Sequence, residues 1–197
     1  FVCLMIICAY SQGFYAPMFK RTWGWEAETY AVWNALVLLA VGPLTVNIAG
    51  WLSDKMYSKY NRKDAPLLIV IFGAFILVPT GIAVPLMPTP ELAMLVIAFN
   101  TFGIAATSAT SVTALLNITP GVIRAQTVAL YYMVISITGL LLGPFTVGWL
   151  SDNIFGNENL NYACAAVPFI FGILVLPWAK FTLKTYNNEL IKIENES

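Results

Sequence analysis

Long apolar runs alternate with short polar or aromatic segments along the whole chain. A helix needs roughly 20 apolar residues to cross a bilayer core of about 30 Å, and six runs reach or approach that length. They cover approximately residues 1–19, 29–52, 66–88, 91–117, 124–151 and 161–180. The pattern therefore predicts six membrane-spanning helices, numbered as spans one to six.

The segments between the runs have the composition of turns at a membrane surface. Lys20–Trp25 is charged and aromatic, residues 53–65 are basic, and residues 153–161 are polar. Pro88–Pro90 and Thr119–Gly121 contain strong helix breakers. We therefore expect loops at these places, including a long basic loop after span two.

A sequence repeat marks the ends of spans two and five. Gly50–Asp54 and Gly148–Asp152 both read Gly-Trp-Leu-Ser-Asp. Gly-Pro-Leu-Thr-Val precedes the first copy at residues 42–46, and Gly-Pro-Phe-Thr-Val precedes the second at residues 143–147. An internal repeat of this kind indicates a structural unit that is built twice. Each copy ends the middle span of a set of three, so the repeated unit has three helices.

The positions of the basic residues predict how the spans are oriented. The chain has 10 lysines and arginines, of which Lys20 and Arg21 follow span one. The others follow spans two, four and six: Lys55, Lys59, Arg62, Lys63, Arg124, Lys180, Lys184 and Lys192. Because cytoplasmic loops are enriched in lysine and arginine, these loops and the carboxy terminus are expected in the cytoplasm. The two repeat copies then lie on opposite membrane faces. This predicts an all-α membrane protein of six transmembrane helices, arranged as an inverted 3+3 repeat.

The composition places the chain in the membrane class and excludes several functions. It is 59% apolar and 10% charged, whereas soluble domains have about 45–50% apolar and about 25% charged residues. The formal net charge is +0, which leaves no basic footprint for nucleic acid. Histidine is absent, and Cys3, Cys8 and Cys164 lack the spacing of metal ligands. We therefore expect packing cysteines, no metal and no cofactor.

Span two ends in a motif that resembles the signature loop of the major facilitator superfamily, whose halves are built from inverted three-helix repeats. That loop reads Gly-x-Leu-(Ala/Ser)-Asp-(Arg/Lys) and continues into a basic stretch. Gly50–Lys55 matches this pattern, and Arg62 and Lys63 follow. The family's glycine soon after the aspartate is absent, and residues 57–61 are expected to lengthen the loop instead.

Spans four and five resemble the carboxy-terminal half of that fold, in particular its spinster-like branch. There a Pro-x-x-x-Arg-(Ala/Gly) loop opens the eleventh helix, and a Gly-Pro … Asp-x-x-Phe-Gly stretch closes it. Pro120–Ala125 fits the opening, and Gly143–Pro144 and Asp152–Gly156 fit the ending. The resemblance implies that residues 1–182 are the six-helix carboxy-terminal half of a twelve-helix transporter, followed by a cytoplasmic tail at 183–197.

The chain begins at Phe1 inside an apolar run, without the basic segment and cleavage site of a signal peptide. We therefore expect an upstream sequence. The resemblance identifies it as the amino-terminal half of the same transporter.

The resemblance also implies a gate at the cytoplasmic end of span two. The Asp54 carboxylate is expected to bind the positive end of a helix in the other half in one access state and to leave it in the other. A cation is unfavourable at a helix start, so Arg124 is expected to have a partner carboxylate or a lipid phosphate. Plainer interpretations stay open: Asp54 is an interfacial capping residue, and Arg124 is a charge that sets topology. The expected gating residues are Gly50, Asp54, Lys55, Arg62, Lys63 and Arg124.

Polar residues inside the spans are the candidates for a substrate cavity. Amides without partners are costly in lipid, so these residues should face protein or a watery space. The resemblance implies that the first and fourth helices of the half line the central cavity. The alternative is hydrogen bonding between helices without ligand contact. The candidates are Gln12, Tyr15, Asn34, Asn100, Thr107 and Ser111.

Span five also carries a helix-packing signal. Gly139 and Gly143 form a Gly-x-x-x-Gly spacing. Small residues at this spacing let a neighbouring helix backbone approach closely.

The expected function is secondary active transport of a small organic or amphipathic solute by alternating access. The expected partners are the lipid bilayer, a small-molecule substrate and the amino-terminal half, in the cell's inner membrane. No charged residue lies at the middle of a span. Either the coupling carboxylate of a proton symporter lies in the other half, or transport is not proton-driven.

The alternative function is a non-transporting membrane sensor or structural subunit on the same fold. An enzyme is not expected, because histidine, paired intramembrane carboxylates and a nucleophile motif such as Gly-x-Ser-x-Gly are absent from the sequence.

Overall fold

The computed structural model describes residues 1–196, except for the side chains at positions 157, 176 and 194–196. Six long helices account for most of the described chain: α1 (Val2–Trp23), α2 (Ala27–Tyr60), α3 (Ala65–Leu86), α4 (Pro90–Asn117), α5 (Gly121–Phe155) and α6 (Leu160–Glu196). The first five are each long and apolar enough to cross a membrane. The sixth qualifies when Leu160–Val175 and Pro177–Ile193, which meet at an angle of 42°, are taken as one bent span. The described helices therefore correspond to the six predicted spans.

Helix α2 is longer than the sequence pattern indicates, which corrects the loop predicted at residues 53–65. The helix continues to Tyr60, because the residues after Gly50 include neither glycine nor proline. It ends at Asn61, whose φ of +50° lies in the left-handed region that asparagine tolerates better than most residues. Residues 61–64 remain as a turn, so the basic motif lies on a helix end rather than on a long loop.

Helices α1 and α5 are locally distorted near prolines. Proline has no backbone N–H group to donate to the carbonyl oxygen four residues before it. In α1, a short 3₁₀ segment at Ser11–Phe14 precedes Pro17. In α5, a π-helical segment at Thr138–Leu142 precedes Pro144. Each distortion interrupts the regular ladder of backbone hydrogen bonds in the interior of a span.

Helices α3 and α4 form the most extensive pair in the bundle. Their backbones meet at Gly73 and Gly103, where a side-chain carbon added to Gly73 would lie 2.8 Å from the carbonyl oxygen of Gly103. A side chain larger than hydrogen therefore has no room at this crossing. Helix α1 packs against α6, α5 and α3, while α2 packs mainly against α4.

The contact between α1 and α5 depends on two glycines. A carbon added to Gly139 would lie 2.7 Å from the ring of Tyr10, and one added to Gly143 would lie 2.8 Å from the Cβ of Tyr10. The distorted segment of α5 thus lies directly against the residue that precedes the distorted segment of α1.

Two buried apolar clusters hold the helices together. One surrounds Tyr15 and Phe19 of α1 and includes Cys164 of α6. The other surrounds Met5 of α1 and Leu77 of α3. In α2 and α5, by contrast, only 11% of the most apolar stretch is buried. The exposed apolar surfaces of these two helices need lipid or further apolar protein surface to cover them.

Helix α6 continues past residue 182, where the sequence analysis placed the start of a tail. The hydroxyl group of Tyr186 donates to the carbonyl oxygen of Ala114 in α4 over 3.0 Å. Leu183 and Leu190 pack against the same apolar cluster. Part of the segment assigned to the tail is therefore a helix that packs on the bundle.

Candidate functional site

A network around the buried amide of Asn100 joins three helices in the interior of the bundle. The amide nitrogen of Asn100 donates to the carbonyl oxygen of Leu77 over 3.0 Å and to Oγ1 of Thr80 over 2.8 Å. Its carbonyl oxygen accepts a hydrogen bond from Nε2 of Gln12. Gln12 lies in the 3₁₀ segment of α1, so the network ties the distorted part of α1 to α3 and α4.

A cavity of about 90 Å³ lies between α1, α4 and α5. Its walls are mainly apolar, with Met5 and Ile6 on one side and Ile104 on another. The polar side chains on its wall are Thr107, Ser108, Ser111, Tyr131 and Tyr132. The hydroxyl group of Tyr131 donates to Oγ of Ser111 over 2.8 Å, which connects α5 to α4 across the cavity wall.

The structure brings together some of the candidate cavity residues and separates others. Thr107 and Ser111 line the cavity, and Gln12 and Asn100 form the amide network. Tyr15 is 1% exposed and lies in the apolar cluster around Phe19. Asn34 is half-buried on α2 and does not line this cavity.

A second cavity, of about 370 Å³, lies at the end of α2 that carries the basic motif. Asp54, Lys63 and Arg124 line it, so a carboxylate shares this space with two basic side chains. Its other lining residues are Ser53, Tyr57, Pro66, Thr113, Asn117 and Leu190. Helices α2 to α6 therefore meet at this cavity, which we call the gate pocket.

The remaining motif residues have other contacts. Arg62 forms a two-point ion pair with Asp64, with Nε–Oδ1 and Nη2–Oδ2 distances of 3.0 and 2.8 Å. Hydrogen bonding to Asp64 raises the pKa of Arg62 above its ordinary value. Lys55 places its ammonium group 4.3 Å from the centre of the Trp51 ring, one turn back along α2. Gly50 lies inside α2, where an added carbon would meet no atom within 4 Å.

Arg124 begins the regular α-helical part of α5 after a 3₁₀ turn at Gly121–Ile123. Its Nε donates to the carbonyl oxygen of Thr119 over 3.2 Å. This bond holds the side chain beside the preceding turn, where Arg124 lines the gate pocket.

Sequence reasoning missed several residues that the structure places in these sites, and three of them show why. Thr80 belongs to the amide network, Tyr131 belongs to the cavity wall, and Leu190 belongs to the gate pocket. Tyr131 carried a detectable signal, because a phenol in an otherwise apolar run needs a hydrogen-bond partner. Thr80 is an ordinary residue for an apolar helix, and Leu190 lies in the segment predicted as a tail, so neither carried such a signal.

Comparisons with known proteins give one family and one fold. The family model described as Major Facilitator Superfamily matches residues 1–193. A search of curated protein sequences gave no match. Among solved structures, the chain is similar to a bacterial homolog of the human lysosomal transporter Spinster, crystallised in an inward-facing and occupied conformation. The TM-score is 0.73 and the identity 19%, over 96% of this chain and 48% of that chain. The chain thus spans about half the length of the solved structure, and at this identity the similarity establishes the fold alone.

Proposed function

Because the chain belongs to the major facilitator superfamily, we propose that it is the carboxy-terminal half of a secondary active transporter that works by alternating access. It is a multi-pass membrane protein whose six helices form an inverted 3+3 repeat, half of the family's fold. The proposed partners are the amino-terminal half of the same transporter and a small organic or amphipathic solute. The proposed location is the cell's inner membrane, with the tail from residue 183 in the cytoplasm.

The cavity between α1, α4 and α5 is the observation that carries this proposal. The chain is 59% apolar, yet the wall of this space holds the hydroxyl groups of Ser108, Ser111 and Tyr131. Polar groups inside a membrane are costly and usually mark the path of a solute or ion. A solute that passes between the two halves of the transporter would meet these hydroxyl groups.

Uptake by the complete transporter polypeptide, with this chain as its carboxy-terminal half, tests the proposal. Purified protein in liposomes is expected to take up radiolabelled amphipathic solutes saturably. Combining Ser111→Ala with Tyr131→Phe is expected to lower the initial rate about tenfold, because two hydrogen-bonding groups are lost. Thr146→Ala removes a hydroxyl group that bonds within α5 and is the matched control. Binding of solute without saturable uptake would favour the non-transporting sensor instead.

We further propose that the gate pocket controls access from the cytoplasm. It brings the exposed carboxylate of Asp54 to the same space as Lys63 and Arg124. In one access state the Asp54 carboxylate would bind the positive end of a helix in the other half. A charge in that position contributes about 0.3–2 kcal/mol, which is enough to shift the balance of two access states without locking either. The resemblance of Gly50–Lys55 to the family's signature motif supports this role.

The doubled pentapeptide supplies a matched control for the gate. Asp54→Asn removes the carboxylate of the gate pocket, whereas Asp152→Asn makes the same change in a copy with no lysine or arginine nearby in sequence. The reporter is Ser111→Cys, whose reaction with an impermeant thiol reagent is followed from the cytoplasmic side. We expect Asp54→Asn to change the rate of this reaction up to about tenfold. Asp152→Asn should leave this rate unchanged. Equal effects of the two changes, or no effect of Asp54→Asn, would contradict the gate.

A further inference from the structure

Three hydroxyl groups on the wall of the cavity between α1, α4 and α5, those of Ser108, Ser111 and Tyr131, donate their protons within the protein. Ser108 donates to the carbonyl oxygen of Ala105 over 3.1 Å, and Ser111 donates to the carbonyl oxygen of Ser108 over 3.3 Å. A carbonyl oxygen can only accept, so each serine must supply the proton in its bond. Tyr131 in turn donates its phenolic proton to Oγ of Ser111.

Because these protons are used, the oxygens of Ser108, Ser111 and Tyr131 can only accept further hydrogen bonds. A hydroxyl oxygen has two lone pairs, and Ser111 uses one to accept from Tyr131. The oxygens of Ser108, Ser111 and Tyr131 therefore each retain accepting capacity. Thr107 adds nothing to this set, because its hydroxyl group donates to Gly103 and lies against Gly73 of α3.

Among the other described lining residues, Tyr132 adds one phenolic O–H group, and the rest are apolar or already bonded. None of the side chains that line the cavity is charged. The rings of Tyr131 and Tyr132 stand edge to face at 5.4 Å, and aromatic faces attract cations. The wall thus offers lone pairs and aromatic faces, which suit a group that donates hydrogen bonds. A carboxylate or phosphate, which only accepts, would exchange its water for at most the O–H group of Tyr132 and would meet no positive charge among the described lining residues.

We propose that this cavity selects a solute whose polar group is a hydrogen-bond donor, a protonated primary amine on an apolar chain, and rejects anionic groups. The inference rests on the proposed transport function and specifies its substrate class. A volume of about 90 Å³ equals the share of about three water molecules in the liquid. The space therefore takes the ammonium group with a short part of its chain, against Met5, Ile6 and Ile104.

Binding of four probes with the same six-carbon chain tests the inference. Radiolabelled hexylammonium, hexanol, hexanoate and hexyltrimethylammonium are each titrated onto the protein in nanodiscs at pH 7.5, with empty nanodiscs as background. The primary amine is charged at this pH, since its pKa is close to the value of about 10.4 for lysine. We expect hexylammonium to bind most tightly and hexanoate most weakly. Hexyltrimethylammonium keeps the charge but has no N–H donor, and it should bind about tenfold more weakly than hexylammonium.

Variants assign the selectivity to the wall. Ser111→Ala and Tyr131→Phe should each weaken hexylammonium binding about tenfold and leave hexanoate binding unchanged. Thr146→Ala, on α5 away from the cavity, should change neither, and thermal melting curves identify any variant that fails to fold. Hexanoate binding as tightly as hexylammonium, equal binding of the two ammonium probes, or no binding above empty nanodiscs would each overturn the inference. Because the measurement is binding, selective binding without uptake supports the inference while it contradicts the transport function.

Discussion

The side-chain amide of Asn100 in α4 has hydrogen-bond partners for both its nitrogen and its oxygen, and these partners lie in α3 and in the distorted part of α1. An amide that faced lipid instead would have no such partners, because the bilayer core contains no water to replace them. Asn100 is 1% exposed, so its partners are protein groups, and the network fixes the place where α1 departs from a regular helix.

Removal of this amide should destabilise the bundle. We expect Asn100→Leu, which keeps the branched shape of the side chain without its polar atoms, to lower the free energy of unfolding by about 1–2 kcal/mol, because the bonds to Gln12 and Leu77 are lost. Thr110→Val on the same helix is the matched control, since that buried hydroxyl group bonds only the carbonyl oxygen of Ala106 in its own helix. Unfolding in mixed micelles gives both values, and equal losses would show that the network between helices adds nothing.

The sequence could indicate which residues belong to the interior network but not which partner each one takes. Gln12 and Asn100 stand out as amides in apolar runs, so the cost of burial identifies them. Thr80 does not stand out, because a threonine bonds its own helix carbonyl, here that of Ile76, in any apolar helix. Tyr15 is among the predicted cavity residues, whereas the structure places it with Phe19 and Tyr30 in the core, which its apolar surroundings in the sequence do not reveal.

At the scale of the elements, the approach of α1 to α5 depends on which atoms face each glycine. At Gly143, an added carbon would meet the Cβ of Tyr10 and the carbonyl oxygen of Ile7 at 2.8 and 3.2 Å. At Gly139, it would meet the outer ring atoms of the same tyrosine and a methyl carbon of Ile6. Backbone atoms cannot turn aside, whereas a ring can rotate.

Three Gly→Ala substitutions along α5 should therefore differ in effect. We expect Gly143→Ala to destabilise the protein by about 1–3 kcal/mol through overpacking, and Gly139→Ala to cost less. Gly148→Ala should be neutral or stabilising by up to about 1 kcal/mol, because its nearest neighbour is the Phe14 ring, 3.8 Å from an added carbon. Thermal unfolding in detergent ranks the three, and an effect of Gly143→Ala no larger than that of Gly148→Ala would refute the close contact.

The elements also show where an apolar pattern gives the wrong boundary. Charges and tyrosines after Ser53 predict a loop, yet α2 continues to Tyr60. Hydropathy reports where lipid ends, while a helix ends where a residue cannot continue it, here at Asn61 in the left-handed conformation. Helix α6 likewise extends beyond its apolar part, and there the hydroxyl group of Tyr186 bonds the carbonyl oxygen of Ala114 in α4.

At the scale of the whole molecule, the six spans and their inverted order were predictable because the apolar runs and the doubled pentapeptide are both long-range signals. The two copies nevertheless differ in backbone: Gly50–Asp54 lies within a continuous α-helix, and Ser151–Phe155 forms a π-helical turn. Identical residues take different backbones because α2 continues after its copy, whereas Gly156, with a φ of +78°, ends α5 after the other.

The inverted arrangement makes a prediction about the two membrane faces. Ser58→Cys and Asn153→Cys, each in a background without Cys3, Cys8 and Cys164, should react with an impermeant thiol reagent from opposite sides of the membrane. Ser58→Cys is expected to react from the cytoplasmic side, since lysines and arginines surround it. Intact cells and inverted vesicles distinguish the two sides, and labelling of both positions from one side would contradict the orientation.

The contact of Leu190 with the gate pocket matters for anyone who attaches a reporter to this protein. At 1.5 Å per helical residue, Ile193 lies only about 5 Å further along α6 than the wall of that pocket. A fluorescent protein joined there without a flexible spacer would stand at the mouth of the gate. Its bulk would act on the proposed gate, so Ile193 is a position for probing access and not for neutral labelling.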